Sequence, residues 1–306
     1  MYDGIINVYK EAGYTSFDVV AKLRGILHQK KIGHTGTLDP AAEGVLVVCL
    51  GKATKLCDIL PSHDKVYEAT LLLGMTTDTE DTTGEVLSEE PVGTDTYSEE
   101  EIRDTIMSFV GDYEQIPPMY SAIKVNGKKL YELARQGQTV EREPRPVTIY
   151  DLNIESIELP RVVFRISCSR GTYIRSLCRD IGAKLGCGGC MERLVRTKAC
   201  GFQVNESLKL SAIEYLVSEN RFEAEIHSID SMYPDYPRII MKPEWDKLLY
   251  NGNKLKKHQI AGIKEDMMGE LTEIPRFLVY DSKQAFIGIY EYHLDKKEFV
   301  PYKLFL

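Results

Sequence analysis

The chain has 306 residues, of which 43% are hydrophobic and 27% charged, and its formal net charge is −8. This length predicts two domains. No apolar run approaches the roughly 18 residues of a membrane-spanning helix, and the chain does not open with the basic and apolar regions of a secretory signal. Seven cysteines, an odd number, favour reduced thiols. We therefore expect a protein of the cytoplasm that does not span a membrane.

Hydrophobic periodicity predicts the secondary structure, because apolar residues alternate in half-buried strands and recur every three or four residues in helices. The predicted elements are a strand over 5–10, a helix over 17–28 capped by Ser16, strands over 45–50 and 66–74, a helix over 98–110, paired strands over 147–159 and 162–169, a helix over 173–185, and tail strands over 277–280 and 285–290. This irregular alternation favours an α+β fold with a mixed or antiparallel sheet.

Prolines mark two boundaries in the chain. Pro117 and Pro146 bracket a basic segment, 117–146, that we interpret as a long binding excursion from the core. Pro234 and Pro237 mark the expected boundary between a domain over 1–235 and a tail over 236–306. Because about 70 residues make only a marginal independent core, we expect the tail to pack on the first domain.

The charges are segregated along the chain. Residues 78–114 contain 13 acidic residues and one basic residue, whereas residues 117–198 contain 15 basic and 8 acidic residues. A basic region interleaved with tyrosines can hold phosphates and stack bases, although a solvated surface with patchy charge is the alternative. The distribution allows a nucleic-acid partner in spite of the net charge, and the acidic segment would then face away from the RNA or repel wrong approaches.

The densest candidate for chemistry is the Gly-rich loop 33–44, which contains Asp39 followed by Pro40. The proline biases Asp39 towards an extended or turn conformation, and an isolated Asp-Pro pair is more often a turn or a helix cap than a catalytic group. The phosphate-loop pattern and the GxSxG elbow are absent. Cys187 and Cys190 have the spacing of half a zinc site, but no second pair follows, so we interpret them as part of a Gly-rich turn.

Five segments occur in an order that resembles one family: GHTGTLDPAAEGVL (33–46), KVYEATLLLG (65–74), MYSAIKVNGKKLYELARQG (119–137), RGTYIRSL (170–177) and KLGCGGCMERLVRT (184–197). Together they resemble the TruB family of bacterial tRNA pseudouridine-55 synthases over about residues 1–205. The tail is similar, less distinctly, to a PUA-like RNA-binding domain. The resemblance implies a pseudouridine synthase fold with a mixed, mainly antiparallel sheet. It also implies isomerisation of uridine 55 in the T-loop of tRNA by a monomer that needs no cofactor, metal or obligate protein partner.

The resemblance also implies roles for individual residues. In the family pattern, the nucleophile is Asp39, the tyrosine that stacks on the extruded uracil is Tyr67, the base contact or proton-transfer group is Tyr173, the ion-pair partner of the nucleophile is Arg175, the leucine against the base is Leu194, and the histidine that helps to open the loop is His34. The expected RNA contacts are Lys124, Lys128, Lys129, Arg142, Arg145 and Arg196. The usual Leu-Arg-Arg of the family reads Leu194-Val195-Arg196 here, so one arginine is replaced.

These residue types suit the reaction. A stacked target base must first be flipped out of the RNA, and an aromatic face can then replace its lost stacking. A carboxylate can act as nucleophile or base, and a nearby arginine favours its ionised form. Whether Asp39 would attack the sugar, attack the base or remove a sugar proton stays open. The alternatives are an RNA-binding or tRNA-folding protein with secondary catalysis, a guide-RNA-dependent synthase, and, more distantly, a cysteine- or zinc-based enzyme.

Overall fold

The computed structural model describes residues 1–60, 65–125, 127–261 and 275–306. The helices are α1 (Ser16–Ile26), α2 (Glu99–Met107), α3 (Leu130–Ala134), α4 (Ile174–Leu185), α5 (Leu210–Ser218) and α6 (Asp246–Tyr250). The strands are β1 (Gly4–Lys10), β2 (Ile32–His34), β3 (Glu43–Leu50), β4 (Lys65–Leu73), β5 (Met75–Thr77), β6 (Val86–Glu89), β7 (Gly111–Gln115), β8 (Lys124–Val125), β9 (Lys128–Lys129), β10 (Arg145–Glu158), β11 (Arg161–Cys168), β12 (Gly189–Ala199), β13 (Phe202–Gln203), β14 (Arg238–Ile240), β15 (Leu255–Lys256), β16 (Arg276–Tyr280), β17 (Phe286–His293) and β18 (Glu298–Leu304). Every predicted helix and strand is present, with ends shifted by a few residues.

Within the described residues, the main sheet contains nine strands. Seven of them follow the order β1-β3-β12-β4-β11-β10-β7, while β2 pairs with β3 and β13 with β12. The pairing of β12 with β3 is parallel, and the others are antiparallel. The α+β class with a mixed, mainly antiparallel sheet is therefore confirmed.

Two hydrophobic layers cover β1 and β3, which explains the continuous apolar run at 45–50. On one face of the sheet, Leu46 and Val48 pack in a cluster with residues of α1 and α5, among them Leu23 and Ile213. On the other face, Val45 and Val47 join a different cluster. A strand that is buried on both sides has no solvent face to supply polar residues.

Helix α1 begins one residue earlier than predicted, and its N-cap is Thr15 rather than Ser16. The Thr15 side chain accepts from the backbone N–H of Asp18, and the Asp18 carboxylate accepts from the backbone N–H of Thr15. This reciprocal capping box satisfies the free N–H groups of the helix start. The Ser16 hydroxyl is thereby available to contact the backbone of Leu38. The same reciprocal arrangement of Ser98 and Glu101 caps α2.

The tail forms a second sheet, whose order within the described residues is β14-β16-β17-β18-β15. It has its own buried cluster, which includes Phe277, Tyr290 and Phe299. Its other face contributes residues to the cluster under β1 and β3, among them Leu278 and Phe305. A β-rich C-terminal domain packed on the first one is present, as expected, while the boundary near residue 235 stays a prediction. Among the residues described, no helix has the length and apolar character needed to cross a membrane.

Candidate functional site

The loop that contains Asp39 connects β2 to β3, and hydrogen bonds to its backbone groups fix it in place. The Ser16 hydroxyl accepts from the N–H of Leu38 at 2.9 Å and lies 3.3 Å from the Leu38 carbonyl oxygen. The N–H of Ala42 donates to the Asp39 carbonyl, and that of Gly13 donates to the Pro40 carbonyl. The Asp39 side chain is about one-third exposed, at 35%. Its backbone is thus held while its carboxylate reaches solvent.

A buried lysine holds the C-terminal half of this loop. The Lys10 side chain of β1 is fully buried, and its Nζ donates to the carbonyls of Pro40 at 3.1 Å and Ala42 at 2.5 Å. Burial lowers the pKa of Lys10 to about 8, because desolvation disfavours its charged form. This lysine escaped the sequence reasoning, since an isolated lysine at the end of a strand carries no motif.

A buried arginine holds the N-terminal half, and this corrects the expectation for Arg196. Its side chain is 1% exposed, and its guanidinium donates to the carbonyls of Val45 at 2.7 Å and Gly36 at 3.0 Å. Donors committed to buried carbonyls are not available to RNA phosphates. Arg196 therefore supports the loop instead of forming part of an exposed RNA-binding surface.

Gly44 allows the loop to enter β3 beside this arginine. Its φ is +101°, and a Cβ atom there would lie 2.3 Å from the backbone oxygen of Arg196. Only glycine adopts this conformation and permits this approach without strain. The parallel pairing of Arg196 with Gly44 thus joins the start of β3 to β12 next to the Asp39 loop.

Asp39 forms an ion pair with Arg175, at the start of α4. Nη2 of Arg175 donates to Oδ1 of Asp39 at 3.1 Å, and Nε lies 2.9 Å from Oδ2 as an ionic contact without hydrogen-bond alignment. Arg175 is 4% exposed. Contacts from one guanidinium to both oxygens of a carboxylate fix its orientation as well as its position. The structure brings together the two residues that the sequence predicted as a pair.

The acidic segment contributes to the same site, contrary to the expectation that it faces away. Thr79, Asp81 and Thr83 line the same cavity as Asp39. The Asp81 carboxylate lies 3.8 Å from Nη1 of Arg175, and the hydroxyl of Thr79 donates to it. A buried arginine needs compensating negative charge, so the first residues of the acidic segment lie inside the site. No local pattern distinguishes Asp81 from the surrounding acids.

Asp39 opens into a cavity of about 890 Å³. All six residues to which the family resemblance assigned catalytic or base-binding roles line it: His34, Asp39, Tyr67, Tyr173, Arg175 and Leu194. The volume lies in the range of small-molecule and nucleotide sites. Cationic residues that the prediction had not placed in the site also line it: Lys65, Arg135 and Arg170. Lys65 and Arg170 are the first residues of the quoted segments 65–74 and 170–177, so their place in the site could have been predicted from those segments.

Tyr67 and Leu194 form an apolar wall from neighbouring strands. Tyr67 on β4 and Leu194 on β12 are 7% and 6% exposed, and β4 pairs with β12 across them. Burial raises the pKa of Tyr67 to about 12, so its phenol stays neutral at physiological pH. An aromatic ring and an aliphatic side chain at the wall of a polar cavity suit the face of an unstacked base.

Tyr173 and His34 occupy fixed positions at the cavity. Tyr173 is the N-cap of α4, and the Gln115 side chain bonds both its N–H and its carbonyl. Burial raises the pKa of the Tyr173 phenol. The Nδ1 of His34 accepts from the N–H of Gly36 at 3.3 Å. Burial, and secondarily the charge of Arg196, lowers the pKa of His34, which favours a neutral imidazole.

The segment 117–146 folds as a small unit beside the cavity. It contains β8, β9 and α3 around a core that includes Met119, Leu130 and Leu133. The predicted RNA contacts Lys124, Lys128 and Arg145 are exposed, and Lys129 and Arg142 are half-buried. Arg142 donates to the Pro117 carbonyl at 3.0 Å, which joins the two ends of the segment. None of these five residues lines the cavity, so their role in binding RNA stays a prediction.

The Cys187 and Cys190 pair lies at the turn between α4 and β12. Gly186 ends α4 in the left-handed conformation, with φ of +90°, and both cysteines are buried free thiols. Within the described residues, no group of three His, Cys, Asp or Glu side chains is arranged to hold a metal ion.

Two family profiles match the chain in succession. That of the TruB family pseudouridylate synthase (N terminal domain) matches residues 24–174, and that of the tRNA pseudouridylate synthase B C-terminal domain matches residues 175–239. Among similar proteins, tRNA pseudouridine synthase B of Lachnoclostridium phytofermentans is 53% identical, with 99% of this chain and 100% of that protein covered. The protein of the same name from Clostridium kluyveri is 45% identical, with 94% of each chain covered.

Solved structures show the same fold. A chain of the "Crystal Structure of a Cbf5-Nop10-Gar1 Complex" superimposes with a TM-score of 0.71 at 27% identity, covering 99% of this chain and 85% of that one. A chain of the "Structure of H/ACA RNP bound to a substrate RNA containing 2'-deoxyuridine" gives a TM-score of 0.70 at 25% identity, with the same coverage. The pseudouridine synthase fold expected from the sequence is thereby confirmed.

Proposed function

Since this chain belongs to the TruB family and is a tRNA pseudouridine synthase, we propose that it isomerises uridine 55 in the T-loop, with Asp39 as the catalytic carboxylate. The observation that carries this proposal is the Asp39–Arg175 ion pair, which opens into a cavity walled by Tyr67 and Leu194. A charged carboxylate and an apolar wall lie on the same cavity, as a reaction on an unstacked uridine requires.

The reaction exchanges one bond for another at the same sugar carbon. The N1–C1′ bond breaks, the base turns, and a C5–C1′ bond forms, after which the proton leaves C5 and one is gained at N1. The uridine must first leave its stack, at a cost of a few kcal/mol. Tyr67 and Leu194 offset part of this cost by covering the flipped base, and the neutral imidazole of His34 lines the same cavity.

Arg175 prepares Asp39 for covalent or base catalysis. Its two contacts hold both carboxylate oxygens, so the carboxylate enters the reaction already oriented. Tyr173 presents a protonated phenol to the same cavity, which suits a base contact or a proton transfer. The chain's own side chains thus provide the nucleophile, its counter-ion and the base-binding wall.

Replacing the carboxylate tests this assignment. Asp39→Asn should lower the rate of tritium release from C5-labelled tRNA by at least about 10³-fold, since removal of a nucleophile typically costs this much or more. Binding of tRNA should change by less than about threefold, because Asp39 is one contact among many. Asp151→Asn, an exposed carboxylate on β10, is the matched control. Wild-type turnover by Asp39→Asn would refute the role of Asp39.

The position of the modified uridine has its own measurement. A tRNA transcript treated with the purified chain should give one carbodiimide-dependent stop in reverse transcription, at uridine 55, and a transcript with cytidine at that position should give none. We also propose that the chain acts in the cytoplasm as a monomer without an obligate protein partner. Turnover of the transcript by the purified chain alone tests whether a partner is needed. A requirement for an added protein or guide RNA would contradict the proposal.

A further inference from the structure

A hydrogen bond outside the predicted site joins two elements that both contact Arg175. The Tyr120 hydroxyl donates to Oδ2 of Asp78 at 3.1 Å. Asp78 lies in the turn between β5 and β6, and Tyr120 lies at the start of segment 117–146. The Tyr120 side chain is half-buried and lines the cavity. The family resemblance assigned no role to either residue.

Each partner adjoins a carbonyl that accepts from Arg175. Nη1 of Arg175 donates to the carbonyl of Thr79, the residue after Asp78, at 2.8 Å. Nη2 donates to the carbonyl of Tyr120 itself at 3.0 Å, and also to Asp39. The Tyr120–Asp78 bond therefore closes a ring of contacts around the guanidinium.

Asp78 is rigidly placed in its turn. Its other carboxylate oxygen, Oδ1, accepts from the N–H of Glu85 at 2.8 Å, and its own N–H donates to the Glu85 carbonyl at 3.2 Å. Gly84 approaches so closely that a Cβ there would lie 2.3 Å from Oδ1. Asp78 is thus a fixed point to which the Tyr120 hydroxyl attaches the start of segment 117–146.

We propose that the Tyr120–Asp78 hydrogen bond is a positioning contact for the reaction. It holds the Thr79 and Tyr120 carbonyls at the spacing that orients Arg175, and through Arg175 it orients the Asp39 carboxylate. Displacements of about 1 Å in a catalytic group can slow a reaction about a hundredfold. The proposal rests on the roles assigned above to Asp39 and Arg175. The same bond would connect segment 117–146, which is expected to bind RNA, to the Asp39–Arg175 ion pair.

Tyr120→Phe tests this, because it removes the hydroxyl but keeps the ring and the backbone carbonyl. The single-turnover rate of tritium release should fall about tenfold, whereas the Kd for tRNA should stay within about twofold. Tyr97→Phe is the matched control: it removes a hydroxyl that donates to the Leu185 carbonyl at the opposite end of α4, at 2.9 Å. That variant should keep the wild-type rate.

A double-mutant cycle tests whether Tyr120 and Asp78 affect the rate through their shared hydrogen bond. Asp78→Ala should slow the reaction like Tyr120→Phe, and adding Tyr120→Phe to it should slow the reaction no further. A wild-type rate for Tyr120→Phe, or an effect of Tyr120→Phe on Kd alone, would overturn the proposal. So would an equal loss of rate when Tyr120→Phe is added to the wild type and to Asp78→Ala. Melting temperatures establish that each variant is folded, and the Tyr120→Phe comparison stands by itself if Asp78→Ala does not fold. An active Asp39→Asn would instead refute the catalytic assignment.

Discussion

At the scale of single residues, the Asp39 loop depends on the buried cations Lys10 and Arg196, whose donors satisfy its carbonyls on either side of the carboxylate. Residues inside the quoted motifs could be predicted because they stand in recognisable strings. Lys10 and Asp81 lie outside these motifs, and Tyr120 lies inside one but had no assigned role, because the contacts of all three residues with the site arise only when distant segments meet. Arg196 was expected to contact RNA, but it donates to buried carbonyls beside the Asp39 loop. A motif does not reveal burial.

Lys10 should make stability depend on pH. Its pKa is about 8 in the folded chain and about 10.4 in an unfolded chain. Between these values the unfolded state binds more protons, so the contribution of Lys10 to stability rises with pH. From about pH 7.5 to about pH 9.5, the free energy of unfolding of the wild type should increase relative to Lys10→Met by about 1–2 kcal/mol.

Urea unfolding of both proteins at the two pH values measures this difference. Groups that titrate in both proteins cancel in the comparison, so the change isolates Lys10. An unchanged difference between wild type and Lys10→Met would mean that Lys10 retains an ordinary pKa in the folded chain. Loss of activity in Lys10→Met, with tRNA binding retained, is also expected, because Pro40 and Ala42 would lose their buried donor.

At the scale of elements, the contact between α4 and the turn before β12 positions the helix that begins next to Tyr173. A Cβ on Gly182 would lie 2.2 Å from the backbone of Gly188 and Gly189. Gly182→Ala should therefore destabilise the protein by at least about 2 kcal/mol, as expected for overpacking against backbone. Activity should fall as well, because Arg175 is carried by the same helix.

Gly25→Ala is the matched control, since Gly25 is an exposed residue of α1 with open space around its Cβ position. Alanine should stabilise that helix by about 0.5–1 kcal/mol. Urea unfolding of the two variants should therefore show changes of opposite sign. If Gly182→Ala raised the free energy of unfolding as much as Gly25→Ala does, the backbone of the turn after α4 would have to move aside without cost.

Of the seven strands along the main path of the large sheet, the periodicity of the sequence predicted five; β7 was not predicted, and neither was β12. This strand contains Arg193, Arg196 and Lys198, and its pairing with β4 shifts register after Met191 and again after Arg196. Such irregularities break the two-residue alternation on which strand prediction depends. The strand was recognised only as part of a family motif. By contrast, β4 alternates without interruption and was predicted to within one residue at each end.

At the scale of the whole molecule, charge segregation predicts a strong effect of salt on tRNA binding. With about 6–10 phosphate contacts, affinity should fall by about 10³-fold or more between about 50 and 200 mM salt. Lys124→Ala and Lys128→Ala should each reduce the slope of log Kd against log salt by about one. Arg103→Ala, which removes one exposed charge from the acidic segment, should leave it unchanged. A slope near zero for the wild type would contradict a basic RNA-binding face.

The position of β12 in the main sheet also bears on how the protein is made. β12 lies between β3, which follows the Asp39 loop, and β4, which carries Tyr67. During synthesis, residues 1–73 leave the ribosome more than a hundred residues before β12 does. The two parts of the sheet can therefore unite only after residue 199 has been added, and long-range pairing of this kind is slow. Until then, a nascent chain should hold the Asp39 loop and Tyr67 in separate, incomplete parts of the sheet.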